Sequence, residues 1–191
     1  MPKETTIYLI RHGEIEANVD RRWHGHTDSD LTELGMEQAT QLGHYLRERH
    51  HDVRTIYSSP LKRTRLTTEL INAHLSLQPI FVDGLMEYGI GALENTRYEE
   101  LHGKLGFFSK IASDFHYAPE HGESLTDVMT RMLAAIDAIR GAHAGEAVAV
   151  VSHGAAMAIA LAGLLDGKPF PFLRYHTSNT GLSKLVFGES P

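Results

Sequence analysis

Cysteine is absent from the 191 residues. That excludes disulfides, thiolate metal sites and a cysteine nucleophile for phosphoryl chemistry. Positive charge is scarce: the formal net charge is −6, and no basic run exceeds a few residues. Nucleic acid and anionic membranes are therefore poor partners. A site for an acidic ligand needs a local cluster of arginines working against the overall sign. The opening "MPKETTIYLI" lacks the long apolar core and cleavage site of a signal peptide, so a cytoplasmic location is expected. No repeat, low-complexity tract or linker breaks the chain. Its hydrophobic content of 42% and charged content of 22% suit one globular domain with a sizeable core, residues 1–191. One apolar run, Ala147–Leu165, approaches the length of a membrane span. His153 and two glycines interrupt it, and its first half is rich in valine while its second is rich in alanine. It reads as a buried strand, a turn and a buried helix.

The apolar patterning supplies the remaining elements. Ile7–Ile10 reads as a buried strand. Leu31, Leu34, Gln38, Leu42 and Tyr45/Leu46 recur at helical spacing and predict a helix over Leu31–Arg49. Its entry is either an Asp30/Glu33 capping box or an N-cap at Thr32. "RTIYSS" (54–59) is a strand, and Pro60 suits the first turn of a helix running to about Leu75. "PIFVD" (79–83) is another strand. Helices are expected over 97–106 and 124–141, the second with Ser124 and Asp127 as a capping box. Ala147–Ser152 is a strand, Ala155–Leu165 a helix and "LSKLVF" (182–187) the last strand. This alternation predicts an α/β sandwich with a mostly parallel sheet. Continuous apolar strands fit a sheet covered on both faces. Ligands bind such sheets outside the carboxyl ends of the strands.

Two strands end alike, in Arg11-His12-Gly13 and in Ser152-His153-Gly154. A third ends in Ser58-Ser59-Pro60, with Arg63 and Arg65 following near a helix start. If the three ends are neighbours, they make one pocket of histidines and arginines, and phosphate is its natural guest. Arg11 and Arg63 would grip phosphoryl oxygens through bidentate contacts. One imidazole would attack phosphorus, its other nitrogen donating to a backbone carbonyl. The second histidine is better protonated, adding charge opposite the equatorial oxygens. A general acid is needed for the leaving oxygen. Glu87, in "DGLMEYGIGALEN", competes for that role with Glu14 and Glu94, and spacing does not separate the three.

Other patterns have plainer readings. "DSDLT" (28–32) matches the D-x-D-x-T of aspartate-nucleophile phosphatases, but no apolar strand precedes it, so it reads as a helix entry. The 13 histidines include His24/His26, His50/His51 and His116/His121, without a set of metal-ligand spacing, and no metal is expected. Arg65 is as much a helix-surface residue as a ligand, and Asn18 could cap a turn. Arg21-Arg22 is a solvated loop or a guide for an anionic substrate. Phe107, Phe108, Phe115 and Tyr117 either wall the pocket or pack the core.

"RHGE" after the first strand, "SSPLKRTRLTTE", Glu87 with a glycine four residues later, and "VSHG" together resemble the histidine phosphatase superfamily. That superfamily includes cofactor-dependent phosphoglycerate mutases and many small phosphatases. The resemblance runs from about residue 5 to about residue 185. It implies a three-layer α/β/α sandwich around a mostly parallel sheet, working without metal or other cofactor. It implies His12 as the phosphorylated nucleophile and Glu87 as the proton donor. Arg11, Arg63 and His153 would complete the phosphate pocket, Asn18 would bind a phosphate oxygen and the Gly154 amide would help. His24 and Gly25 fall where the mutases touch substrate.

The departures bear on substrate. Ile15 replaces the usual hydroxyl residue, and Asn95 stands where glycine is usual. No arginine follows Glu87 closely, and the stretch from Glu87 to His153 is short for a mutase and has no adjacent arginine pair. "DSDL" is closer to mutases. The balance favours a phosphatase acting on a small phosphorylated metabolite, with a mutase and a phosphohistidine-protein phosphatase as alternatives. An inactive scaffold used for binding would be expected to lack His12, Arg11 or Glu87, and all three are present. A homo-oligomer is compatible with the sequence. A lid over residues 90–120 would favour small substrates.

Overall fold

The β-branched runs pair into one five-stranded sheet in a computed structural model that describes residues 4–188. In chain order the elements are β1 (Thr5–Arg11), α1 (Glu16–Val19), α2 (Glu33–Arg49), β2 (Val53–Ser58), α3 (Lys62–Leu75) and β3 (Pro79–Phe81). Then follow α4 (Tyr98–His102), α5 (Phe107–Ser113), α6 (Leu125–Ala142), β4 (Ala147–Ser152), α7 (Gly154–Asp166) and β5 (Leu182–Phe187). The strand order is β3-β2-β4-β1-β5. The first four run parallel, and β5 is antiparallel to β1.

Burial explains the composition of each strand. Every residue of β4 is buried, so its run of valine and alanine shows no alternation. β1 divides its side chains between two layers. Ile7 and Leu9 join Val148 and Val150 against a core supplied by α5, α6 and α7. Tyr8 and Ile10 join Ala149 and Val151 against Leu42 and Leu46 of α2 and Ile71 of α3. The fold is therefore the expected α/β/α sandwich. Ala147–Leu165 divides into β4 and most of α7, and no helix among the described residues is long and apolar enough to cross a membrane.

Helix entries follow local chemistry. Thr32 caps α2, its Oγ1 accepting from Gly35 N at 3.0 Å. Ser124 and Asp127 form the reciprocal capping box at the start of α6. α3 starts two residues after Pro60, where Asp28 Oδ1 accepts from Lys62 N at 2.7 Å. The helix expected over 97–106 is shorter: α4 ends at His102, and α5 starts separately after Gly106, whose φ of +57 no regular helix accepts. The strand expected over 79–83 stops at Phe81.

The chain leaves β1, passes the position that β4 later fills and returns to it only after β3. That crossover puts β1 and β4 side by side, with Arg11 opposite Ser152. The residues next along, His12 and His153, therefore emerge together from the carboxyl edge.

Candidate active site

The three strand ends do converge. His12 N donates to Ser152 O at 3.0 Å, and Ser59 N donates to Val151 O at 3.0 Å. The His12 and His153 rings lie 5.3 Å apart, edge to face. A cavity of about 160 Å³ opens here, with Arg11, His12, Asn18, Glu87 and Gly154 in its wall.

His12 is held by its neighbour. Its Nδ1 donates to Gly13 O at 2.7 Å, since a carbonyl only accepts. Gly13 N in turn donates to Thr67 Oγ1 at 3.0 Å. Alanine cannot replace Gly13 here, because a Cβ would stand 2.4 Å from Gly35 O. With the proton on Nδ1, Nε2 carries the free lone pair toward the cavity. Burial, and then the Arg63 and Arg11 charges, push the His12 pKa well below the ordinary imidazole value.

Arg11 reaches the cavity with donors to spare. Nη1 donates to Thr177 O at 2.7 Å and to His176 Nε2 at 3.1 Å. Its buried Nε has no partner. The guanidinium lies against the first turn of α7, where a Cβ on Gly154 would come within 3.1 Å of Nε.

Arg63 is different from expectation. It is fully buried, and a bidentate grip on phosphate is not open to it. Nη2 donates to His24 O at 3.2 Å and Gly25 O at 2.6 Å, Nη1 to Thr27 O at 2.9 Å, and Nε to His153 Nδ1 at 3.1 Å. Four of its five N–H groups are thus spent on the protein. The last of these bonds also corrects the expected charge of His153. Nδ1 accepts from a guanidinium and so carries no proton; Nε2 holds it and donates to Ser59 Oγ at 2.8 Å. Burial, with Arg63 the next cause, pushes the His153 pKa well below the ordinary value, so the ring is neutral. Arg63 and His153 stand behind His12 rather than in the cavity wall.

Of the three carboxylates only Glu87 lines the cavity. It sits on the N-terminus of α7, where Oε1 accepts from Ala156 N at 2.7 Å and Oε2 from Ala155 N at 3.1 Å. Oε1 also accepts from Tyr88 N at 2.8 Å. An anion there meets helix N–H groups that have no intrahelical partner. Glu94 is a loop clamp, accepting from the N–H groups of Gly25, His26, Thr27 and Ile90. Glu14 accepts from Thr32 Oγ1 at the entry of α2.

The remaining expected residues separate. Asn18 lines the cavity with Oδ1 fixed by Ile15 N and Asn179 Nδ2, which leaves its amide NH₂ as a donor. His24 is in the wall, bonded to Ser29 Oγ and Asn95 Oδ1. Gly25 is not a wall residue: its N–H goes to Glu94 and its carbonyl to Arg63, and a Cβ would strike Glu94 and Tyr88. Arg65 points away and stacks on the Phe81 ring at 4.9 Å. Asp28 and Asp30 bind the start of α3, as a helix entry should. Phe107, Phe108, Phe115 and Tyr117 pack in or against the core and do not wall the cavity. From residues 90–120 only Tyr98 reaches it. Among the described residues, no group of three or more His, Asp or Glu side chains is placed to hold a metal ion.

Sequence reasoning missed Phe172, Leu173 and His176 in the wall, and Asn179, whose Nδ2 donates to His12 O at 3.1 Å. They precede β5. Because β5 is antiparallel, its amino end shares the edge where the parallel strands finish. Looking only at the residues after each strand therefore passes them by. The one usable signal is "HTSNTG" (176–181), a polar stretch directly before an apolar strand.

The comparisons agree with this geometry. The family model for the histidine phosphatase superfamily (branch 1) matches residues 7–190. A Yersinia pestis (strain Pestoides F) protein named "Probable phosphoglycerate mutase GpmB" is 35% identical over 188 residues, covering 97% of this chain and 86% of its own. Phosphoserine phosphatase from Entamoeba histolytica, solved with 3-phosphoglyceric acid, superposes with a TM-score of 0.85 at 25% identity, covering 97% of this chain and 98% of that one. Bacillus stearothermophilus YhfR superposes with a TM-score of 0.80 at 30% identity, covering 94% and 90%. Matched from residue 7 to residue 190, with both histidine motifs at one sheet edge, the chain belongs to the histidine phosphatase superfamily.

Proposed function

We propose that this chain is a metal-independent phosphatase that hydrolyses phosphate monoesters through a phosphohistidine on His12. One observation carries the reading: the Nδ1–Gly13 bond leaves Nε2 unprotonated and facing the cavity, beside the unpartnered Nε of Arg11. Nε2 attacks phosphorus and the ester P–O bond breaks. Glu87, protonated for this step, gives its proton to the leaving oxygen. In the second half Glu87 takes a proton from water, the water oxygen attacks phosphorus, and the P–N bond breaks to release phosphate. Arg11, the Asn18 amide and the Gly154 N–H hold the phosphoryl oxygens. Arg63 and His153 act from behind, the first as fixed positive charge and the second as a neutral support.

The substrate is a small phosphorylated metabolite with a compact apolar group. Ile15, Trp23, Tyr98, Ala158, Phe172 and Leu173 supply the rest of the wall, and such walls take apolar groups. The mutase reading has one specific support besides the GpmB relative: Arg22 also lies in the wall and could meet a second anionic group.

Phosphate release from aryl, alkyl and sugar phosphates, measured with chelator present, tests the proposal. The wild type should work undiminished, aryl phosphates should exceed 3-phosphoglycerate, and His12→Ala should be inactive. Full activity in His12→Ala, or abolition by chelator, overturns the mechanism. Transfer between the 2- and 3-positions of phosphoglycerate, primed with 2,3-bisphosphoglycerate and faster than phosphate release, replaces the phosphatase by a mutase.

A further inference from the structure

Glu87 stands on the irregular segment after β3, and four successive carbonyls of that segment are each taken by a side chain. Ser152 Oγ donates to Leu85 O at 2.8 Å. Arg131 of α6 takes the other three. Its Nη1 donates to Gly84 O at 3.1 Å and Met86 O at 2.6 Å, and its Nη2 to Glu87 O at 2.8 Å. The remaining donors pair with Glu123, Nε to Oε1 at 2.6 Å and Nη2 to Oε2 at 2.8 Å. Glu123 Oε2 also accepts from Gly89 N at 3.0 Å. All five N–H groups of Arg131 are therefore committed, either to the segment that carries Glu87 or to the carboxylate that holds its far side.

α6 does not need this for docking. It already buries Val128, Met132, Ala135, Ile136 and Ile139 in the core. Arg131 is also absent from the cavity wall, so it has no direct hold on substrate. Its fork is aimed at main chain on both sides of one carboxyl group. A lysine in its place offers three donors from a single point and cannot span these acceptors.

We propose that Arg131 is a positioning residue for the protonation step, holding the backbone from which Glu87 reaches the leaving oxygen. This role rests on the reading of Glu87 as proton donor. A misplacement of about 1 Å in such a group costs on the order of 100-fold in rate.

The test compares kcat for an alkyl phosphate, whose leaving oxygen needs a proton, with kcat for p-nitrophenyl phosphate, whose leaving group needs little. Arg131→Met should lose on the order of 100-fold on the alkyl ester and only a few-fold on the nitrophenyl ester. Arg131→Lys should show the same pattern, and it carries the test if the methionine variant does not fold. In a Glu87→Gln background the Arg131 substitution should cost nothing further on the alkyl ester. Equal losses on both esters for the Arg131 variants, or losses that multiply in the double variant, overturn the positioning role while leaving Glu87 as the acid. Equal losses on both esters for Glu87→Gln overturn the acid role, and the role of Arg131 falls with it.

Discussion

A proton on His12 would put a third positive charge beside Arg11 and Arg63 in a buried site, which is why its pKa is pushed well below the ordinary value. An attacking imidazole must be neutral, so the acid limb of kcat/KM governed by His12 should lie below the ordinary pH of about 6.5. A half-maximal point at 6.5 that vanishes in a His12 variant assayed for residual turnover would contradict this. Gly154 offers a second check. Glycine in a helix normally costs up to about 1 kcal/mol relative to alanine, so Gly154→Ala should leave Tm unchanged or raise it. Its Cβ would nevertheless crowd Arg11 at 3.1 Å, and KM for phosphate esters should rise at least several-fold. Lower activity with lower Tm would point to simple misfolding. At this scale the motif residues were legible because each lies at an element boundary that its own neighbours mark. The partner of each polar atom was not. Arg63 reads as a phosphate ligand until its donors are found on residues 24, 25, 27 and 153.

Elements in this chain are set by short-range capping and the site by long-range clamps, and the two should respond differently to substitution. Ser124→Ala removes one capping box, an expected loss of about 1 kcal/mol in urea denaturation with activity kept. Glu94→Ala removes an acceptor shared by the N–H groups of Gly25, Thr27 and Ile90. Several groups lose their partner at once, so the expected loss is about 2–4 kcal/mol. Activity should fall as well, because the carbonyls of that loop hold Arg63. Equal, small losses in both variants would show that the loop finds other partners. The strong α2, α6 and α7 patterns were legible from periodicity and caps. α5 was not, because its aromatic residues read equally well as a pocket wall.

Two buried neutral histidines make the whole molecule sensitive to acid. His12 and His153 both have folded pKa values held well below the ordinary one by burial and neighbouring cations. An unfolded chain binds protons at about pH 6.5 that the folded chain refuses. Their contribution to stability is therefore full above about pH 6.5 and falls as pH drops from there toward the folded values. The slope is up to about 1.4 kcal/mol per pH unit for each histidine. Urea denaturation at pH 7.5, 6.5 and 5.5 should show this decline, and a shallower one in His12→Asn. A flat profile would mean that both rings titrate normally. The sequence by itself determined the alternation of strands and helices, and it marked the ends that carry Arg11, His12, Ser59 and His153. Those features are written in local periodicity and in residues next to one another. Only the tertiary structure decided that His153 is neutral, that Glu87 rather than Glu94 or Glu14 meets the cavity, and that Arg131 and the loop before β5 belong to the site. Each of these depends on which distant donor reaches which acceptor. The crossover that seats β4 beside β1 and the antiparallel return of β5 settle that, and no short stretch of residues contains it.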